Sequence, residues 1–144
     1  MRNEKLNSSD IFNELSQNFL KRCSENEIVI KKGLEFDDFD FYTDRLILNC
    51  ALIALIENAF IGSPKKGSIE ISMTRAEGSI VFSVHNKAVM SAYVQLQVFR
   101  NREGIGTYGA KLFIEKYLKG SVYYTSVEGL GTTFYLKLPL LMIC

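Results

Sequence analysis

Two hydrophobic rhythms alternate along the chain. From Ser9 to Cys23 apolar residues recur at Ile11, Phe12, Leu15 and Phe19, the spacing of one helical face. Ser9 or Asp10 can cap that helix. "EIVIKKGLEF" reads as a short strand and its turn, and "DDFDFYTD" as an acidic, aromatic loop. Thr43 or Asp44 can cap a second helix running to about Phe60, with Gly62 and Pro64 as stop signals. The rhythm then changes to strict alternation. "GSIEISMTRAEGSIVFSVHN" is a hairpin signature, two β-rich runs around Glu77-Gly78. Val89 to Phe99 reads as a loop and a short helix, and a third helix follows from about Thr107 to Leu118, ended by Gly120. "SVYYTSVEGLGTTFYLKLP" gives a second hairpin, turning at Gly129 to Gly131. The pattern predicts an α+β fold, a two-layer sandwich of a mixed, mostly antiparallel sheet with helices packed on one face. The alternation in the strands predicts one buried and one wet face.

Composition narrows the partners. A length of 144 residues, 47% of them hydrophobic, suits one domain with a real core, and no repeat or linker divides residues 1–144. A formal net charge of +1 gives no argument for nucleic acid or an anionic membrane surface. The polar N-terminus does not read as a signal peptide, and "LLMIC" is too short to cross a bilayer. Three cysteines without metal spacing, Cys50 among them on an apolar helical pattern, suggest reduced thiols. A cytoplasmic location is expected.

Two constellations carry chemistry. On a helical wheel at about 100° per residue, Arg45 and Asn49 share one side of the second helix. Asn58 falls on the far side, among Ile47, Ala51, Ala54 and Ile61. An amide there must find partners or cost about 1–3 kcal/mol. It is either a structural asparagine bonded to a loop backbone or one that faces a ligand or a hydrated cation such as Mg²⁺. The second constellation is "GIGTYG", Gly104 to Gly109, which matches a glycine-rich phosphate fingerprint. Its context excludes a dinucleotide site, because "FRNRE" precedes it and a hairpin follows. A Walker motif fails for want of a G-K-[ST] ending. Two readings remain, a loop-to-helix turn using glycine for conformation only, or a helix N-terminus that attracts phosphate.

Taken in order, these segments resemble the ATP-binding catalytic domain of sensor histidine kinases, the fold shared with gyrase, the heat-shock chaperone ATPase and the mismatch-repair MutL ATPases. The likeness runs from about Asp44 to Pro139. "TDRLILNCALIALIENAFIGSP" resembles the family's N box, with Asn58-Ala59 as its asparagine-alanine pair. "FSVHN", Met90 and "VQLQVF" resemble the first glycine-box strand, the adenine-pocket loop and the start of the F box. "GIGTYGAKLFIEKYLKGSVYYTSVEGLGTTFYLKLP" resembles the second glycine box, its helix and the closing hairpin. The resemblance implies that Gly104 and Gly106 let the chain wrap a triphosphate, with backbone N–H groups of Thr107, Tyr108 and Gly109 presented to it. Asn58 would hold Mg²⁺, Asn86 would accept from the adenine amine, and Thr132 would support the same base. Met90, Ile105 and Leu112 would line the adenine slot. It also implies ATP or ADP as ligand, and phosphoryl transfer to a histidine on a separate dimerisation domain of the parent chain. A response regulator would be reached only indirectly.

The departures from the family pattern are specific. Ala54 stands four residues before Asn58, where kinases often have a polar side chain and the hydrolysing relatives a glutamate base. The usual adenine-reading aspartate aligns with Asn86 by strand alternation, or with His85 after a one-residue shift. An asparagine offers a carbonyl without the charge, so weaker binding is expected. Lys87-Ala88 replaces a glycine pair, and Ile61 replaces a frequent basic residue. Only "RNRE" separates Phe99 from Gly104, where the family usually has a much longer ATP lid; either the lid is short or more residues belong there. The single histidine, His85, lies at a strand end and reads as a pocket-edge or core residue rather than a phosphoacceptor. Two functions stay open: the catalytic domain of a histidine kinase, or a degenerate kinase-like module with weak or no nucleotide binding that serves regulation or protein interaction. The isolated domain is expected to be monomeric.

Overall fold

Residues 2–62, 67–76, 78–87 and 105–139 are described in the computed structural model, the side chains of residues 61, 62 and 105–107 excepted. The elements in chain order are β1 (Asn3–Asn7), α1 (Ser8–Asn18), α2 (Leu20–Asn26), β2 (Val29–Phe36), β3 (Asp40–Asp44) and α3 (Arg45–Gly62). They continue with β4 (Ser68–Ala76), β5 (Ser79–Asn86), α4 (Ile105–Tyr117), β6 (Ser121–Val127) and β7 (Gly131–Pro139). Five strands form a sheet in the order β2-β4-β5-β7-β6. β2 runs parallel to β4, and the other neighbours are antiparallel. The mixed, mostly antiparallel sheet expected from the pattern is therefore present, and both predicted hairpins, β4–β5 and β6–β7, are in it.

The inner face follows the alternation. Ile69, Ile71 and Met73 of β4, Ile80, Phe82 and Val84 of β5, and Phe134, Leu136 and Leu138 of β7 are buried. They form one cluster with Leu48, Leu52, Leu55, Ile56 and Ala59 of α3 and with Ala110 and Ile114 of α4. Apolar residues ring most of α3 because it touches α1 on one side, α4 on another and the sheet beneath. Cys50 is an exception on that helix: it is exposed, a free thiol like half-buried Cys23.

Three local expectations need correction. Neither Ser9 nor Asp10 caps the first helix; the Asn7 side chain accepts from the Asp10 amide at 3.1 Å. The helix expected to run unbroken to Cys23 divides at Phe19, whose buried ring stacks on Phe60 at 5.3 Å. The acidic, aromatic segment expected as a loop contains β3, which pairs with β1 in a separate antiparallel two-stranded sheet. Phe41 of β3 and Leu6 of β1 are buried, and Phe41 meets Phe82 edge-on at 5.8 Å. The predicted loop and short helix from Val89 to Phe99 lie outside the described residues.

Candidate nucleotide site

α3 brings the first constellation into place. Asp44 caps it: its carboxylate accepts from the Arg2 amide at 2.7 Å and the Ile47 amide at 3.0 Å. Those backbone donors, Arg2 first and Ile47 next, hold the Asp44 carboxyl below the usual carboxylate range. Arg45, in the first turn, grips Glu14 of α1 through two oxygens at 2.6 and 2.8 Å and faces Glu4 at 3.4 Å. The start of the helix is thus tied to β1 and α1. Its end carries Asn58, half-buried, and Ala59, buried. Ala54, at the position where a hydrolytic relative would carry glutamate, has no proton-accepting group.

The sheet supplies a polar edge to an otherwise apolar face. Within the five-stranded sheet, the buried polar side chains among the described residues are Asn86, 4% exposed, and Thr132, 2% exposed. They are cross-strand partners at one end of β5 and β7. Strand alternation decides the register that the sequence left open: Asn86 continues the inward row of Ile80, Phe82 and Val84. His85 turns to the other face, where its Nδ1 lies 2.8 Å from the Thr133 hydroxyl. The Asn86 amide donates from Nδ2 to the Ala59 carbonyl at 3.2 Å, so the end of β5 is joined to the last turn of α3. Thr132 Oγ1 lies 2.8 Å from Ser126 Oγ on β6. Beside them Gly131 has φ +95°, and a Cβ there would lie 2.2 Å from the Asn86 carbonyl oxygen. No other residue type fits that approach.

α4 contributes the third part. Ile105, Gly106, Thr107 and Tyr108 occupy its first turn, where backbone N–H groups have no intrahelical acceptor. Gly109 lies beyond the first turn, where a glycine costs about 0.8–1 kcal/mol against alanine. At Gly109 a Cβ would meet nothing within 4 Å among the described residues. Ala110 and Ile114 hold the helix against α3, while Tyr108 and Gly109 are half-buried and Leu112 is 48% exposed. Met90 and Gly104 lie outside the described residues, as do the side chains of Ile105 and Thr107.

Thus Asn86 and Thr132 are cross-strand partners, and Asn86 reaches the backbone of Ala59, the chain neighbour of Asn58. Sequence reasoning missed the Ala59 carbonyl and the Ser126 hydroxyl. The first is a backbone atom with no sequence signal. The second could have been suspected, because Ser126 and Thr132 flank the tight turn at Gly129 to Gly131 and must pair across it. A separate cavity of about 360 Å³ lies at the opposite end of β5 and β7, lined by Ile80, Leu138, Tyr117 and Arg75 among others, and includes none of these groups.

Solved structures share the architecture. The catalytic domain of histidine kinase ThkA superposes with a TM-score of 0.84 at 20% identity, covering 97% of this chain and 97% of that one. Acinetobacter baumannii histidine kinase AdeS gives 0.83 at 22% identity, covering 97% of this chain and 68% of that one. Full-length ShkA, solved in complex with AMPPNP, gives 0.83 at 15% identity; this chain is covered completely and ShkA over 32% of its length. At such identities the likeness establishes the fold, that of histidine kinase catalytic domains. A comparison with curated proteins finds no match. Residues 43–142 match the model of the histidine kinase-, DNA gyrase B-, and HSP90-like ATPases, and the chain belongs to that family.

Proposed function

We propose that the chain is the ATP-binding catalytic domain of a two-component sensor histidine kinase, spanning residues 1–144. In this reading it binds Mg·ATP and presents the terminal phosphoryl group to a histidine on a dimerisation domain of the parent chain. The observation that carries the reading is the junction of Asn86, Thr132 and Ala59, a buried polar edge on an apolar sheet, beside the residue that would hold the metal. Such an edge fits a base that offers an amine and ring nitrogens. The Gly131 approach, which a Cβ would fill, fits a ligand site that needs the ends of β5 and β7 close together. Asn58 would hold Mg²⁺ through its amide oxygen, and the N–H groups of Ile105 to Tyr108 at the start of α4 would meet the phosphates. In this reading Met90, Ile105 and Leu112 would line the adenine slot, and Gly104 and Gly106 would let the backbone wrap the triphosphate. The metal, when bound, neutralises phosphate charge, and the rest of catalysis is positioning.

His85 is spoken for by Thr133, which supports an acceptor histidine elsewhere, as does its place on the outer face. The reaction implies a response regulator as eventual recipient and a cytoplasmic location. No helix among the described residues is long and apolar enough to cross a membrane.

A second reading is a degenerate module that keeps the fold for regulation or protein interaction. Asn86 in the usual place of an aspartate and the short "RNRE" approach favour it. Titration of the chain with Mg·ADP and a non-hydrolysable ATP analogue separates the two. Binding that requires Mg²⁺, and that falls at least about tenfold in Asn58→Ala with unchanged melting temperature, is the expected result. No saturable binding into the millimolar range would remove the kinase reading and leave the second.

A further inference from the structure

We infer that the cavity at the opposite end of β5 and β7 from Asn86 and Thr132 is a second ligand site, one that takes a compact aromatic carboxylate. The inference stands apart from the nucleotide reading, because it uses none of the groups on which that reading rests.

The cavity holds about 360 Å³, at the small end of the range for organic-ligand pockets. It lies where β3 and the end of α4 meet the far ends of β5 and β7. Its lining is apolar at depth: Phe41, Ile80, Leu118 and Leu138 are all buried. Two exposed rings line it as well, Tyr42 of β3 and Tyr117 at the end of α4. Apolar walls joined to aromatic rings suit a flat arene, and the small volume suits a short ligand better than a long acyl chain.

The polar groups set the sign of the ligand's charge. Arg75 and Lys119 both line the cavity, and neither forms an ion pair with a described carboxylate. Arg75 donates only to the Asp40 carbonyl, from Nη1 at 3.5 Å. The Asp40 carboxylate is engaged elsewhere: it accepts from Asn7 Nδ2 at 2.9 Å and faces Lys5 at 3.6 Å. Thr43, also in the lining, is 5% exposed, and no hydrogen bond joins its hydroxyl to another described residue. A hydroxyl left in that state is costly, and a ligand oxygen would relieve it. Two cations and a hydroxyl match the acceptor oxygens of a carboxylate. A phosphate ester would carry a second charge onto apolar walls, so the single charge is the better match. On its other side Arg75 borders Asp37 and Asp38, which offset its charge. Lys119 should therefore carry the larger share of the attraction.

The test uses the 144-residue chain with 2-naphthoate as probe and 2-naphthamide as its uncharged counterpart, followed by amide chemical shifts of the ¹⁵N-labelled protein. 2-Naphthoate should bind saturably with a dissociation constant below about 1 mM. 2-Naphthamide should bind at least about fivefold more weakly. The shifts should centre on Phe41, Thr43, Leu118 and Leu138. Arg75 and Lys119 are exposed, so Arg75→Gln and Lys119→Gln should both stay folded. Lys119→Gln should weaken 2-naphthoate by about three- to tenfold and Arg75→Gln by less, with 2-naphthamide unchanged in both. Mg·ADP should leave the affinity for 2-naphthoate as it is. Displacement by Mg·ADP would put the probe at the nucleotide groups and overturn the inference. No saturable binding into the millimolar range, equal affinity for the two probes, or a Lys119→Gln chain that binds 2-naphthoate like wild type would each overturn it too. The nucleotide reading is left intact by any of these failures, since its own titration uses a different ligand and different residues.

Discussion

Gly131 and Asn86 meet backbone to backbone, and the chemistry of the candidate site depends on that approach. Gly131 adopts φ +95°, and a Cβ would strike the Asn86 carbonyl oxygen at 2.2 Å and Lys87 Cα at 2.8 Å. Both obstacles are main chain, Asn86 in the paired end of β5 and Lys87 just past it, so neither can move aside cheaply. Gly131→Ala should cost about 1–3 kcal/mol or more in backbone strain. For a chain of this size the melting temperature should then fall by roughly 3–10 °C. Gly129→Ala in the same turn has φ +85° but open space around the new Cβ, so it should cost less. Differential scanning calorimetry of the two variants reads the difference, and equal shifts would remove the steric part of the argument. At this scale the sequence was a good guide to residue type and a poor guide to contact. Asn86 and Thr132 could be singled out from alternation and motif, whereas their partners, a carbonyl on α3 and a hydroxyl on β6, depend on how distant segments come together.

Among the elements, α3 positions most of the site, and its start is fixed by one carboxylate. Asp44 accepts from the amides of Arg2 and Ile47. Asp44→Ala should cost about 0.5–2 kcal/mol, as for other helix caps. The effect should depend on pH with a defined sign. The folded-state pKa of Asp44 lies below its ordinary value, so the unfolded chain binds more protons as the medium turns acid. The cap therefore contributes fully above the unfolded pKa of about 3.9, and its contribution fades as pH falls through the folded value. Urea unfolding of wild type and Asp44→Ala should differ at pH 7 and converge in acid; a constant difference would contradict the assignment. Helix α3 and the hairpins β4–β5 and β6–β7 were legible because long periodic runs and turn residues announce them. β1 and β3 were not, since five-residue strands carry too little alternation to identify and gain their stability by covering Phe82 and α1. The break at Phe19 was hidden for a related reason: apolar spacing continues through it, while the ring turns to stack on Phe60.

Across the whole molecule, the family match begins at residue 43, yet the core does not. Leu6, Ile11, Leu15, Phe19, Ile28 and Phe41 are buried in the same cluster as Phe82, Leu136 and α3. β2, also before residue 43, pairs along β4. A chain of residues 43–144 would expose that apolar face and leave the β4 edge without its partner. It should lack a cooperative thermal transition by circular dichroism, whereas the complete chain should show one. A cooperative melt close to that of the complete chain would mean that the N-terminal segment is an accessory to the core.

What the sequence determined by itself was local and periodic: the long helix α3, the hairpins β4–β5 and β6–β7, which face of their strands is apolar, and the turn at Gly129 to Gly131. Three motif-bearing segments in order were enough to point to the fold, because each lies on an element whose pattern is strong. Only the tertiary structure decided that the Asn86 amide donates to the Ala59 carbonyl, that His85 meets Thr133 on the other face, and that β1 and β3 close the core. These features rest on contacts between residues far apart in the chain and on backbone atoms common to every residue, which leave no mark on local composition.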